Sequence, residues 1–250
     1  MRVTSWKLVS DGSNQGRSGF QEQPYLGTEE CGHANYATDY LVDTIRTQAA
    51  AGWQVMVHAN GDAAIEQVVT AYERALDGLG PADLRHRIEH CSIPTDDHLA
   101  RMARVGVSPS FLMNHVYFWG AAFRDTILGP VRAGRLHRVA SAYAAGLRPS
   151  LHSDYDVTDI DPLLSARTAV RRTLEADGTV FRLDPSRTPT MYHCAIVSAG
   201  GMGRDPKVMA FTTDAGVTQF VVTEEQAPGV ARSAWRNSYT SQSSPIAAIG

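Results

Sequence analysis

The chain has 250 residues, of which 43% are hydrophobic and 20% are charged, and its formal net charge is −3 with a pI near 6.3. This composition is typical of a globular protein with one large domain or two smaller ones. The charge gives no reason to expect nucleic acid or an anionic membrane as a partner, and no apolar run is long enough to span a membrane. Three widely spaced cysteines and a start without the apolar core of a signal peptide predict a reducing, cytoplasmic location.

Short apolar segments alternate with amphipathic ones through the first two thirds of the chain. Strands are predicted at residues 3–9, 54–58, 86–90, 107–110 and 147–152. Helices are recognised by apolar spacings of three and four and by their capping residues. They are predicted at residues 38–49, 65–79, 96–105 and 131–145 and from Pro162 onwards, with Thr95 and Asp161 as N-caps of the third and the last. This alternation predicts an α/β fold with a parallel sheet and right-handed crossovers.

Three further stretches do not follow this alternation. Residues 11–36 form a long loop rich in Gly, Pro and polar residues, which in a compact domain is more often functional than idle. Residues 111–129 are predicted to form a second loop, rich in aromatic side chains. After residue 176 only two strands are predicted, at 210–213 and 217–222, and the tail from residue 227 is expected to be poorly ordered. The predicted domains are therefore 1–175 and 176–250.

Three of the predicted strands end at or just before a residue that can bind a metal. These residues are His58, His90 and Asp154, and their separations of 32 and 64 positions equal one and two βα units. The carboxyl ends of parallel strands lie on one rim of a sheet, and two imidazoles with a carboxylate are a ligand set of zinc hydrolases. One such histidine alone would more often be structural, but three ligand-type residues at strand ends in register favour a metal site.

Several neighbouring polar residues are better explained by structural roles. Asp62 after Gly61 is expected to cap a helix. Glu89 alternates with His90 and should point to the opposite face, paired with Arg85 or Arg87.

Other residues near the same rim have functional interpretations as well as structural ones. Asp154 can serve as both metal ligand and general base, and His152 can orient a ligand. His115 and Trp119 are candidates for substrate contact, against the alternative of a loop packed by its own aromatic residues. Lys7 is, on composition alone, a surface lysine of an edge strand.

Several motifs in order resemble the amidohydrolase superfamily, and most closely its YtcJ-like, N-substituted formamide deformylase-like branch. The likeness runs from about Val3 to Arg172. It is carried by the segments Lys7–Ser13, Val57–Asp62, Arg85–His90, Asn114–Gly120, Ile127–Pro130, His152–Asp154 and Asp161–Leu163.

The resemblance implies a metal-bearing (β/α)₈ TIM barrel beside a small β-sandwich. The strand at residues 3–9 would be barrel strand four, and the strands that end near His58, His90 and Asp154 would be strands five, six and eight. His58 and His90 would hold one divalent metal, expected to be zinc. Lys7 would be carboxylated to a carbamate that bridges two metals, and Asp154 would bind the second metal and take the proton of the attacking water.

The chain departs from the family pattern in one important respect. The family's first strand supplies two ligands in a His-x-His motif, which does not occur in this sequence. We therefore expect a partial barrel of about five βα units, followed by a remnant of the sandwich.

The resemblance implies a hydrolase of carbon–nitrogen bonds other than peptide bonds, acting on a small molecule, and is compatible with a homo-oligomer. The alternatives are a catalytically inactive remnant and a metal-dependent ester or phosphoester hydrolase on the same scaffold.

Overall fold

Five parallel strands lie side by side in their order along the chain. They are β1 (Ser5–Val9), β2 (Gln54–Ala59), β3 (Arg87–His90), β4 (Ser108–Phe111) and β5 (Ser150–Leu151). The computed structural model describes residues 5–79 and 83–181, together with three strands farther along the chain. The sheet confirms the predicted α/β fold of five βα units, as in part of a TIM barrel.

Helices occupy the connections between strands and follow the last of them. They are α1 (Thr38–Ala50), α2 (Asp62–Leu76), α3 (Asp96–Val105), α4 (Asn114–Ala122), α5 (Pro130–Ala133), α6 (Val139–Ala144) and α7 (Pro162–Arg171). In the parts of the chain that the structure describes, none of them has the length and apolar character needed to cross a membrane. The predicted caps of α3 and α7 are confirmed, since Thr95 Oγ1 accepts a hydrogen bond from the amide of His98 and Asp161 Oδ1 accepts one from that of Leu164.

The two faces of β2 have different surroundings. Val55, Val57 and Ala59 are fully buried on the face that packs against the helices, whereas Met56 and His58 between them are only half-buried. The hydroxyl of Tyr72 on α2 reinforces this packing by donating to the carbonyl of Val55. The helices therefore cover one face of β2, and Met56 and His58 lie on the other.

The prediction of a loop over residues 111–129 is wrong. Helix α4 and a π-helical turn (Phe123–Ile127) occupy most of that segment. His115, Val116 and Gly120 are buried on more than one side of α4. Such a helix lacks the one-sided apolar stripe by which an amphipathic helix is recognised in a sequence.

Two other predicted elements have different bounds. The helix predicted at residues 131–145 is two short helices, α5 and α6, because His137 between them has a left-handed φ of 47° that no helix continues. The strand predicted at residues 147–152 pairs only at Ser150–Leu151. The buried face of α7 is formed by Ser165, Ala166, Thr168 and Ala169.

The chain divides into two compact units, Met1–Thr188 and Pro189–Gly250. In the second unit the strands β6 (Tyr192–Ile196), β7 (Val208–Thr212) and β8 (Thr218–Val222) pair antiparallel in that order. The strands predicted at 210–213 and 217–222 are thus confirmed, while the tail from residue 227 lies outside the described residues. The domain boundary at residue 175 stays a prediction.

Candidate active site

The structure brings the strand-end histidines together at the carboxyl-terminal rim of the sheet. The ring centroids of His58 and His90 are 4.5 Å apart, and those of His90 and His152 are 5.0 Å apart. His115, in the first turn of α4, stacks on His90 at 6.5 Å. One rim therefore carries a cluster of imidazoles contributed by β2, β3, the end of β5 and α4.

His90 lies at the centre of this cluster and is buried. Burial, reinforced by the neighbouring rings of His152 and His58, lowers the pKa of His90 far below its ordinary value, so this imidazole is neutral at physiological pH. Its Nδ1 atom is buried and has no hydrogen-bond partner in the described part of the chain. A neutral ring with an unused nitrogen is the form of histidine that binds a metal.

His58 is held by a network of polar groups from the loop after β1. Its Nε2 atom lies 3.1 Å from the carbonyl oxygen of Gly12 and 3.3 Å from Asp11 Oδ1, and the side-chain Nδ2 of Asn60 is at 3.0 Å. Nε2 therefore faces two hydrogen-bond acceptors and one donor. Contacts of this kind orient the ring, as is typical of a metal-ligating histidine.

Asp11 was not singled out by the sequence analysis, although it organises this side of the rim. Its carboxylate is fully buried and accepts hydrogen bonds from the backbone amides of Phe20, Asn60 and Gly61 at 2.8–3.0 Å. The only sequence signal was its position four residues after Lys7, in the turn that ends β1. Asp11 therefore joins the long loop, the end of β2 and the start of α2 in one network.

Lys7 lies on β1 beside Met56 of β2, on the same face of the sheet as His58. Its side chain is exposed on the edge of the sheet, yet it is crowded by its neighbours. Desolvation lowers the pKa of Lys7, while the nearby charges of Glu89 and Asp154 act in the opposite direction. The lysine is thus close enough to Asp154 to sense its charge.

The segment after β5 brings a second ring and a carboxylate to the rim. The backbone amide of His152 donates to the carbonyl of Phe111 at 3.0 Å. The Nε2 atom of the His152 ring is buried and has no hydrogen-bond partner among the described residues. Burial lowers the pKa of His152, and the charges of Glu89 and Asp154 partly offset this. Asp154 itself is exposed and has a left-handed φ of 52°.

His115 and Trp119 occupy different environments on α4. His115 is buried, with Nε2 at 2.8 Å from Gln15 Nε2 and Nδ1 at 3.3 Å from His137 Nε2, and burial lowers its pKa to about 3. Trp119 is 42% exposed at the surface of the helix. His137 was missed because it lies inside a segment predicted as continuous helix.

Neighbouring polar residues have the structural roles expected of them, with two corrections. Glu89 pairs with Arg87 at 2.9 Å, as predicted, but it lies beside His58 in the register of the sheet and so on the same face as the site, not the opposite one. Helix α2 begins at Asp62 itself, so Gly61 is the cap residue and the prediction for Asp62 is off by one position. The Asp62 carboxylate accepts from the amide of Glu22 and pairs with Arg135, which ties the long loop to the helix.

The residues of the rim suit a metal, although they do not form a completed ligand set. Within residues 5–79 and 83–181, no three His, Cys, Asp or Glu side chains converge closely enough to hold an ion. Buried ring nitrogens without partners, at His90 and His152, each carry a desolvation cost of about 1–3 kcal/mol that a ligand would relieve. The ligand roles of Lys7, His58, His90 and Asp154 stay predictions.

Comparisons with known proteins agree with this geometry. Protein LONG AFTER FAR-RED 3 of Arabidopsis thaliana is 30% identical over 66% of this chain and 29% of its own length. N-substituted formamide deformylase of Arthrobacter pascens is 28% identical over 69% of this chain and 32% of its own. The crystal structure of an uncharacterized metal-dependent hydrolase from Pyrococcus furiosus superposes with a TM-score of 0.61 and 26% identity, over 74% of this chain and 36% of that one.

The matches cover only part of each relative, whereas the family match covers most of this chain. The chain spans about a third of the length of the curated relatives that it matches. The model of the amidohydrolase family matches residues 1–198. The predicted resemblance is confirmed, and the chain belongs to the amidohydrolase family.

Proposed function

We propose that this protein is a metal-dependent hydrolase of carbon–nitrogen bonds other than peptide bonds, acting on amides, N-acyl amines or N-formyl amines. The observation that carries the proposal is the contact between His58 and His90 at the rim, where the buried Nδ1 of His90 has no partner among the described residues. Family membership and the likeness to a formamide deformylase support the choice of bond. A cytoplasmic location belongs to the same proposal.

Each candidate ligand has a definite part in the proposed site. His58 and His90 would hold one divalent cation, expected to be zinc, and Asp154 with a carboxylated Lys7 would hold a second. A divalent cation in this place supplies Lewis acidity and makes a nearby water more acidic. The lowered pKa of Lys7 increases the fraction of uncharged amine, which is the form that reacts with carbon dioxide to give a carbamate.

Asp154 is proposed to move the proton of the reaction. Its carboxylate would take a proton from the water that attacks the amide carbonyl and would pass that proton to the departing amine. The products are then a carboxylic acid and a free amine. His115 and Trp119, on the helix that borders the rim, are proposed to contact the substrate.

The rival proposal is a protein that keeps the scaffold without the activity. It is favoured by the observation that the described residues form no completed ligand set. The two proposals differ in a property that can be measured before any substrate is known. A working enzyme must retain metal, whereas a non-catalytic scaffold need not.

Metal content of the purified chain tests the proposal. After dialysis against zinc and removal of the free ion, we expect at least about one equivalent in the wild type and a large loss in His58→Ala and in His90→Ala. His33→Ala is the matched control, because His33 is exposed in the long loop. Less than one equivalent in the wild type, or retention in both site variants, would contradict the proposed site.

Activity is tested next, on the metal-loaded protein. Para-nitroformanilide and para-nitroacetanilide release a coloured amine when the carbon–nitrogen bond is cleaved. We expect turnover of at least one of them, and its loss in Asp154→Asn. Full zinc occupancy without cleavage of any amide, N-acyl or N-formyl amine would favour the non-catalytic scaffold.

A further inference from the structure

A chain of three hydrogen bonds holds the loop that carries Asp154. Ser165 Oγ on α7 donates to Asn114 Oδ1 at 3.2 Å, and Asn114 Nδ2 on α4 donates to Thr158 Oγ1 at 2.8 Å. The Thr158 hydroxyl in turn donates to the carbonyl oxygen of Ser153. Asn114, Thr158 and Ser165 are all buried. The chain therefore restrains the peptide group that joins Ser153 to Asp154.

The direction of these hydrogen bonds is determined by their chemistry. A carbonyl oxygen can only accept, so the single hydroxyl proton of Thr158 is committed to Ser153. The lone pair of the same hydroxyl is free to accept from Asn114 Nδ2. Asn114 is thereby oriented with its oxygen towards Ser165. The Ser165 hydroxyl lies 3.2 Å from Asn114 Oδ1 and 3.1 Å from the carbonyl oxygen of Asp161, so its single proton is shared between these two acceptors.

Asp154 requires such a restraint because of its own conformation. Its φ of 52° is left-handed, a conformation that aspartate adopts more readily than most residues but that regular strands and helices do not contain. Side-chain packing elsewhere in the loop does little to hold this conformation, since Tyr155, Val157 and Ile160 are 70%, 60% and 66% exposed. Thr158, at 8% exposure, is the buried anchor of this exposed loop.

We propose that Thr158 is a positioning residue for Asp154, supported by Asn114 behind it. By holding the Ser153 carbonyl, Thr158 fixes the backbone from which the Asp154 carboxylate projects at the rim. The proposal rests on the proposed function, in which Asp154 accepts a proton from the attacking water. It assigns a role to a threonine four residues beyond Asp154 that touches neither substrate nor metal.

Three substitutions of nearly equal size separate positioning from general stability. Thr158→Val removes the hydroxyl and keeps the shape, and Thr158→Ser keeps the hydroxyl. Thr168→Val is the matched control, because Thr168 is buried on α7 and its hydroxyl has no hydrogen-bond partner among the described residues.

The first readout is independent of catalysis. Chymotrypsin cleavage after the exposed Tyr155, followed by mass spectrometry of the native protein, reports release of the loop. Thr158→Val loses both hydrogen bonds of the hydroxyl, to Ser153 and from Asn114, and this should speed the cut at least about fivefold. Thr158→Ser and Thr168→Val should stay within about twofold of the wild type. An unchanged rate in Thr158→Val overturns the inference, whether or not the protein is a hydrolase.

The second readout applies to the metal-loaded enzyme with a cleaved nitroanilide. A misplaced proton acceptor should lower kcat by about 10-fold to 100-fold in Thr158→Val while KM changes less than about twofold. Thr158→Ser should restore most of kcat. Equal kcat in Thr158→Val and the wild type overturns the positioning role. If the metal-loaded wild type cleaves no nitroanilide, the result contradicts the proposed function instead. The chymotrypsin experiment alone then tests whether Thr158 holds the loop.

Discussion

His58 and His90 meet edge to face, with their ring centroids 4.5 Å apart, although the register of the sheet sets His90 beside Ala59. Paired residues of a parallel sheet point to the same face, and Ala59 is buried towards the helices. A regular strand would therefore carry His90 away from His58. The backbone at His90 and Cys91 is left-handed, with φ values of 65° and 44°, and this ends the alternation.

Asp11→Asn should weaken both the fold and the setting of His58. The carboxylate accepts three backbone amides, and an asparagine must turn one of its donors towards them. We expect the free energy of unfolding in urea to fall by about 2–4 kcal/mol. Asp39→Asn, at an exposed ion pair with Arg74, should cost about 0–1 kcal/mol. Equal effects in the two variants would refute the organising role of Asp11.

Gly61→Ala should disrupt the junction between β2, α2 and the long loop. A Cβ at Gly61 would lie 1.7 Å from the carbonyl oxygen of Phe20, which is backbone and accepts the amide of Ala64. We expect a loss of at least about 3 kcal/mol in urea unfolding. Gly78→Ala, which meets open space at a φ of 75°, should cost only about 1–2 kcal/mol. Wild-type stability of Gly61→Ala would show that this close approach does not exist.

Arg101→Met should loosen the packing of α3 against α2. The guanidinium binds both carboxylate oxygens of Glu66 and of Glu73, at 2.7–3.0 Å, and Thr70 Oγ1 at 2.9 Å. Because Glu66 is partly exposed, we expect a loss of about 1–3 kcal/mol in thermal or urea unfolding. Arg74→Met, whose ion-pair partner is exposed, should change stability by about 0–1 kcal/mol.

Stability of the metal-free protein should fall as the pH drops below about 6.5. Burial lowers the folded-state pKa of four rim histidines, namely His90, His115, His137 and His152. The unfolded chain therefore binds protons that the folded chain rejects, and the penalty grows with falling pH. Each histidine contributes up to about 1.4 kcal/mol per pH unit.

Urea unfolding at pH 8, 7, 6 and 5 measures this effect in a range in which carboxylates are mostly ionised. The free energy of unfolding should be nearly constant from pH 8 to 7 and should decline from 6.5 to 5. His115→Gln should reduce the slope of that decline, because the folded-state pKa of His115 is about 3. A flat profile across the whole range would refute neutral, buried imidazoles at the rim.

Local sequence patterns were sufficient to place the main elements. The apolar stripe of α1, from Leu41 to Ala49, was recognised because it depends only on the period of the backbone, and β2 was recognised as a short apolar segment. Parallel strands bring their ends to one rim, so His58 and His90 could be expected together. Helix α4 was missed because burial on several sides leaves no periodic stripe.

The sequence by itself determined the α/β fold and the ligand-type residues at the strand ends, since the strands and helices follow from local periodicity, whereas the order of the strands was implied by the family resemblance. Only the tertiary structure decided which groups surround them. Asp11 meets the amide of Asn60 from 49 positions away, and Gln15 meets His115 across 100 positions. Such contacts, and the left-handed turn at His90, depend on how the whole chain packs, because no local period of the backbone encodes them.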